Sequence, residues 1–111
     1  MPNQPKSPRE ILLEAAELLE KPGAWTQKSA ARDKQGRHVL FDEVGAVSFC
    51  MIGAISRISN NEYPAYQDAK LALSRVVGRP GIVTFNDAPG RTQSEVVTAL
   101  RKAAESCGGG E

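Results

Sequence analysis

Histidine and cysteine are scarce in this chain, with one His and two Cys in 111 residues. One His and two distant Cys do not make a zinc site. Two Cys do not make a disulfide framework either. Cys50 lies in an apolar run and Cys107 beside a glycine tail, so a reduced, cytoplasmic setting is the simpler expectation. Aromatic residues amount to 5%, and the interleaved aromatics on which single-strand nucleic-acid binders stack bases are missing. Charge is balanced: 14 Lys and Arg against 13 Asp and Glu give a formal net charge of +1, and bulk charge therefore names no partner. The N-terminal MPNQPKSPRE has no apolar segment of signal-peptide kind. The longest apolar run is too short, and too interrupted by Gly and Arg, to span a bilayer. No membrane partner and no cofactor or metal is expected. A chain of this length is one domain, with a core burying roughly two-thirds of its unfolded surface.

The most apolar run is Val44 to Ile58, VGAVSFCMIGAISRI. Read as one helix it is apolar on nearly all sides, which predicts burial. Gly45 and Gly53 would let neighbouring backbone approach closely. The rest of the chain is arranged around it. Ser7-Pro8-Arg9-Glu10 is a capping box with Pro at the first helical position. It opens a helix with an apolar stripe of Ile11, Leu12, Ala15, Ala16, Leu18 and Leu19, ended by Lys21-Pro22-Gly23. Its carboxylates, Glu10, Glu14, Glu17 and Glu20, read as a solvated face before they read as an acidic docking face.

Ala24 to Arg32 reads as extended, Asp33 to Gly36 as a turn, and Arg37 to Phe41 as the returning strand of a hairpin. A hairpin alone is marginal in water and must pack on something. Tyr63 to Val77 reads as a helix and Ile82 to Phe85 as a short strand. Thr92-Gln93-Ser94-Glu95 is a second capping box, opening the last helix. The predicted order is α-β-β-α-α-β-α: an α+β domain over residues 7–107, four helices packed on a small hairpin or three-stranded sheet, with loose ends at 1–6 and 108–111.

These elements, taken together, resemble a known set. Glu17-Leu18-Leu19 stands before Gly23, then Trp25-Thr26-Gln27, then Ala31-Arg32-Asp33 with Gly36. Cys50-Met51-Ile52-Gly53-Ala54 follows, then Asn86-Asp87 with Arg91-Thr92, then Val96 and Ala99-Leu100. The ordered series, spanning Ile11 to Ala104, resembles a family of small uncharacterised proteins of bacteria and their phages, a domain of unknown function. The family pattern has Trp-Asn-Asp where this chain has Phe85-Asn86-Asp87, so an indole N–H is lost there. The resemblance implies a compact single domain and no particular activity.

Several side chains carry chemistry. Cys50, expected early in a helix that would lower its pKa, is a candidate nucleophile, with Gln27 as oxyanion donor and Asn86 or Asp87 to orient a base. The base itself is missing, because the sole histidine, His38, precedes the cysteine and sits on a predicted strand. The bland alternative is a small buried hydrophobe. Asn86-Asp87 with Arg91-Thr92 is the most site-like cluster: Asp87 could pair with Arg91, and a helix N-terminus could hold an anion; the plainer alternative is a turn held by an Asx hydrogen bond and an ion pair. Trp25 and Gln27 would face that loop if the hairpin lies beside it, leaving Gln27 and Asn86 as paired amides; the plainer alternative is that Trp25 anchors the core. Lys28, Arg32, Lys34, Arg37 and His38 make the hairpin basic, so it could contact phosphate, though such charge reads first as a solvated hairpin face.

The resulting expectation is a non-catalytic binding module of bacterial or phage origin. It would use Trp25, Gln27, Arg32, Asn86, Asp87 and Arg91 on an unknown protein or small-molecule partner. The first alternative is a cysteine-dependent enzyme using Cys50. The second is a nucleic-acid binder through Lys28 to His38.

Overall fold

Both capping boxes form and start helices where the sequence placed them. Ser7 Oγ accepts from the Glu10 amide at 3.1 Å while the Glu10 carboxylate accepts from the Ser7 amide at 2.9 Å. Thr92 and Glu95 repeat the exchange at 3.1 and 3.0 Å. In the computed structural model, which describes residues 6–108, these boxes open α1 (Pro8–Glu20) and α5 (Gln93–Gly108). The loose ends expected at the termini fall, in residues 1–5 and 109–111, outside the described residues.

Between them run β1 (Ala31–Arg32), β2 (Ser48–Phe49), α2 (Met51–Ser59), α3 (Ala65–Val77) and α4 (Ile82–Asp87). The α1 stripe of Ile11, Leu12, Ala15, Ala16 and Leu19 is buried, and α1 packs on α5 and α2 while α5 also packs on α3. Val96, Leu100, Ala103, Leu73, Met51 and Ile55 complete the centre of the core. The domain is thus α+β as expected, but helix-rich: the described residues form five helices and a two-stranded antiparallel sheet, with Ala31 opposite Phe49 and Arg32 opposite Ser48. No helix among the described residues is long and apolar enough to cross a membrane.

Three elements differ from the sequence reading. The run from Val44 to Ile58 is not one helix. Val44 is 99% exposed, and Ala46 closes a turn on the Glu43 carbonyl. Ala46 and Ser48 then face inward with Val47 outward, an alternation of period two that belongs to a strand. Cys50 is the N-cap of α2, with extended backbone and its sulfur accepting from the Gly53 amide at 3.3 Å. A cap residue is non-helical by construction, so the helix begins only at Met51. Gly45 meets nothing that a side chain would displace, whereas a Cβ on Gly53 would collide with the Ala30 carbonyl oxygen.

The hairpin is also rearranged. Its turn is present: Gly36 (φ +82°) donates to the Asp33 carbonyl, and the Asp33 carboxylate accepts from the Gln35 and Arg37 amides at 2.9 Å. The returning segment touches β1 only through a bridge between Arg32 and His38 and a bond from the Val39 amide to the Ala31 carbonyl. The main partner of β1 is β2, whose other edge meets Trp25 in a parallel bridge. The expected strand from Ala24 to Arg32 cannot be continuous, because Lys28 turns through positive φ (66°).

Ile82 to Phe85, expected as a third strand, is instead the first part of helix α4. Ile82 and Asn86 are its buried positions while Val83 and Thr84 are exposed, a spacing of four that fits only a helix. A short β-branched run is ambiguous between the two states until packing chooses.

Candidate functional site

α4 brings Asn86 to the centre of the molecule, 1% exposed, with every amide position used. Its Oδ1 accepts from Trp25 Nε1 at 2.8 Å and from the Met51 amide at 3.0 Å. Its Nδ2 donates to the Thr26 carbonyl at 3.1 Å and to Asp87 Oδ1 at 2.9 Å. Gln27 Nε2 donates to the carbonyls of Asn86 and Ala88 at 2.9 and 3.1 Å. Asp87 Oδ1 also accepts the Lys28 amide at 2.8 Å, which holds the positive-φ residue in place. Three segments far apart in sequence are thereby joined, and Asn86 has no hydrogen-bonding capacity left for a ligand.

Of the six residues expected to form a binding site, the structure gathers Trp25, Gln27, Asn86 and Asp87 around this joint. Arg32 neighbours it but faces its own loop, donating to Thr26 Oγ1, the Gly36 carbonyl and the Gln27 carbonyl at 2.9, 2.9 and 3.0 Å. Arg91 does not pair with Asp87. Its guanidinium lies 3.7 Å over the Phe85 ring, donates to the Phe85 carbonyl at 2.8 Å and meets Glu95 at 3.3 Å. The pairing fails because the Asp87 carboxylate turns back to the Lys28 amide while Arg91 lies beyond the end of α4.

Beside the joint opens a cleft of about 460 Å³, lined by Lys28, Ser29 and Ala30, by Cys50 and Ile52, and by Ile82, Val83, Asn86 and Asp87. Its walls are mainly aliphatic, with Lys28 and Asp87 as the charged members of its lining. Sequence reasoning missed Ile52, Ile82 and Val83. The signal that finds them is the helical period of 82–86, which separates inward Ile82 from outward Val83 and was masked by the strand reading. A more open groove of about 500 Å³ lies along α1, with Glu10, Glu14 and Glu17 over Leu13, Leu18 and Ile58. There Glu10 is held by the capping box and Glu14 meets Lys6 at 3.4 Å.

The environment of Cys50 does not activate it. Burial pushes its thiol up, and the nearby Asp87 carboxylate raises it further against the lowering effect of the Gly53 and Ile52 amides. The expectation that the helix start would lower its pKa is thus reversed, because the charge would be formed in a largely desolvated place. His38 Nδ1 lies 2.8 Å from Ser29 Oγ, and that hydroxyl donates to the Ala31 carbonyl at 2.7 Å. The imidazole is therefore the donor in this pair. In the basic hairpin, Arg32 is tied inward and Arg37 meets Asp33 at 3.1 Å, so two of its cations serve the turn. Among the described residues, no three His, Cys, Asp or Glu side chains gather as a metal-binding group.

Fold and site together define a small, helix-rich α+β domain with a saturated amide joint beside an apolar cleft. The chain belongs to a family of unknown function, DUF6197, whose model covers residues 3–106. No curated protein and no solved structure matches it.

Proposed function

We propose that this protein is a non-catalytic binding module whose ligand enters the cleft between the Lys28–Ala30 loop, the start of α2 and α4. The observation that carries the reading is the cleft itself: about 460 Å³, with Ile52, Ile82 and Val83 in its walls, bordered by a joint that fixes its sides. Small-molecule sites are concave, mostly apolar and of roughly 300–1,000 Å³, with few polar groups. Trp25, Gln27 and Asn86 then act by framing the cleft, and Asp87 by reaching into it. A raised thiol pKa at Cys50 supports a lining role there over a nucleophilic one. The two free cysteines fit a reduced, cytoplasmic setting.

Titration with isobutanol, followed by amide NMR, tests the reading. Shifts should cluster on Ala30, Cys50, Ile52 and Val83. Val83→Arg should abolish them without lowering the melting temperature, because Val83 is 60% exposed. Shifts scattered over the surface, or undiminished in Val83→Arg, would reject the cleft as the site.

A further inference from the structure

The cleft contains one more chemical instruction. Lys28 and Asp87 both line it, carry opposite charge, and among the described residues form no salt bridge with each other or with any other side chain. They are nonetheless neighbours, because Asp87 Oδ1 accepts the Lys28 backbone amide at 2.8 Å. That bond and the one from Asn86 Nδ2 both fall on Oδ1, which leaves Oδ2 with no protein donor among the described residues. An exposed lysine and an aspartate thus border one aliphatic recess with no salt bridge to either among the described residues.

We infer that the ligand is a free apolar α-amino acid, its ammonium on Asp87, its carboxylate on Lys28, and its side chain against Ile52, Ile82 and Val83. The inference rests on the cleft being the binding site. An α-amino acid carries its two charges on a single carbon with the side chain on that same carbon. This matches a lysine and an aspartate that line one aliphatic cleft and are joined through the Lys28 amide. A monocation would leave Lys28 facing it without gain, and a monoanion would meet the Asp87 carboxylate as a like charge. Charge-assisted hydrogen bonds at both ends select the zwitterion over either half.

The test is an amide NMR titration of the intact protein with L-leucine, L-isoleucine, L-methionine and L-phenylalanine. 3-Methylbutylamine and 4-methylpentanoate, each lacking one charge of leucine, serve as comparisons. At least one amino acid should shift the Ala30, Cys50, Ile52 and Val83 amides, with each single-charge analogue binding roughly tenfold or more weaker than leucine. Lys28→Met, which keeps the aliphatic stem, should weaken the amino acid and bind the amine as well as or better than the wild type. Asp87→Asn, which keeps an oxygen for the Lys28 amide, should weaken the amino acid and bind the acid as well as or better than the wild type. An analogue that binds as tightly as leucine overturns the zwitterion while leaving the cleft in place. Isobutanol shifts without any amino-acid shifts at millimolar concentration do the same. Absence of cleft shifts with every probe rejects the cleft reading and this inference together.

Discussion

Replacing Asn86 by alanine should destabilise the fold more than any other polar-to-alanine change in the chain. Three polar groups lose their partner at once: Trp25 Nε1, the Met51 amide and the Thr26 carbonyl. Asp87 Oδ1 is spared, since it retains the Lys28 amide. A buried polar group left without a partner costs about 1–3 kcal/mol. Met51 is fully buried, whereas Trp25 and Thr26 are half-buried and regain some solvent, so the total should fall near 4 kcal/mol, within about 3–6. That is a large share of the roughly 5–15 kcal/mol by which domains are stable. Urea unfolding, followed by circular dichroism and by the single tryptophan, reads it directly. With a slope of about 2 kcal/mol/M, the midpoint should drop by roughly 2 M. Asn86→Asp sharpens the test. At neutral pH it sets a carboxylate oxygen against the Thr26 carbonyl and Asp87, which raises its folded pKa above the unfolded value of about 3.9. A group raised in this way stabilises below its unfolded pKa and loses that contribution as pH rises through the folded value. The gap between Asn86→Asp and wild type should therefore narrow on acidification. A midpoint drop under roughly 0.5 M for Asn86→Ala would refute the joint as the element holding the three segments together.

Gly53→Ala should cost about 1–3 kcal/mol or more, read as a lower melting temperature, because its Cβ would drive the Ala30 carbonyl off α2. Cys50 should be alkylated more slowly than a free thiol at neutral pH, and its rate should rise only above the usual thiol range, since burial raises its folded pKa. By the same linkage, the stability that its raised pKa contributes is present at neutral pH and lost as pH climbs through the folded value, so Cys50→Ala should flatten the alkaline fall in melting temperature. Ser7→Ala and Thr92→Ala should each cost about 1 kcal/mol in urea unfolding, the ordinary worth of a helix cap. Val44→Ser should leave the melting temperature unchanged, which a residue inside a buried helix would not allow.

The helix starts were legible because the signal is local: Ser7 with Glu10, and Thr92 with Glu95, decide the backbone within one turn. The buried stripe of α1 followed from its period of 3.6, and the turn at Gly36 from residues that favour it. The run from Val44 to Ile58 defeated the same method because composition hid a change of period. Ala46, Val47 and Ser48 alternate, while Met51 onward is helical, and the break falls on Cys50, a residue seldom read as a cap. Ile82 to Phe85 is β-branched and aromatic, yet the need to bury Asn86 together with Ile82 overrides that preference. The cleft was invisible for the same reason. Its walls come from Ile52, Ile82 and Val83, which sequence placed on a single central helix and a strand that does not form.

The neighbourhood of Trp25, Gln27 and Asn86 was legible, while its role stood open between a ligand site and a structural anchor. Amides, an indole and a carboxylate drawn together from distant positions look like a ligand site in a sequence, because binding sites need polar groups. A fold whose strands are two residues long has a different need for them. So small a sheet supplies few backbone bonds, and the loop from Ala24 to Ala30 has to be fastened by side chains. Asn86 does this by bonding the tryptophan, the start of α2 and the Thr26 carbonyl at once. Groups so used are satisfied and unavailable. A loss of binding in Asn86→Ala therefore reports a loosened fold rather than a lost contact. Asp87→Asn separates the two: it preserves an acceptor for the Lys28 amide and removes the charge of a residue that lines the cleft. Stability that holds while amino-acid binding falls would place recognition in the charge, with the amides as its frame.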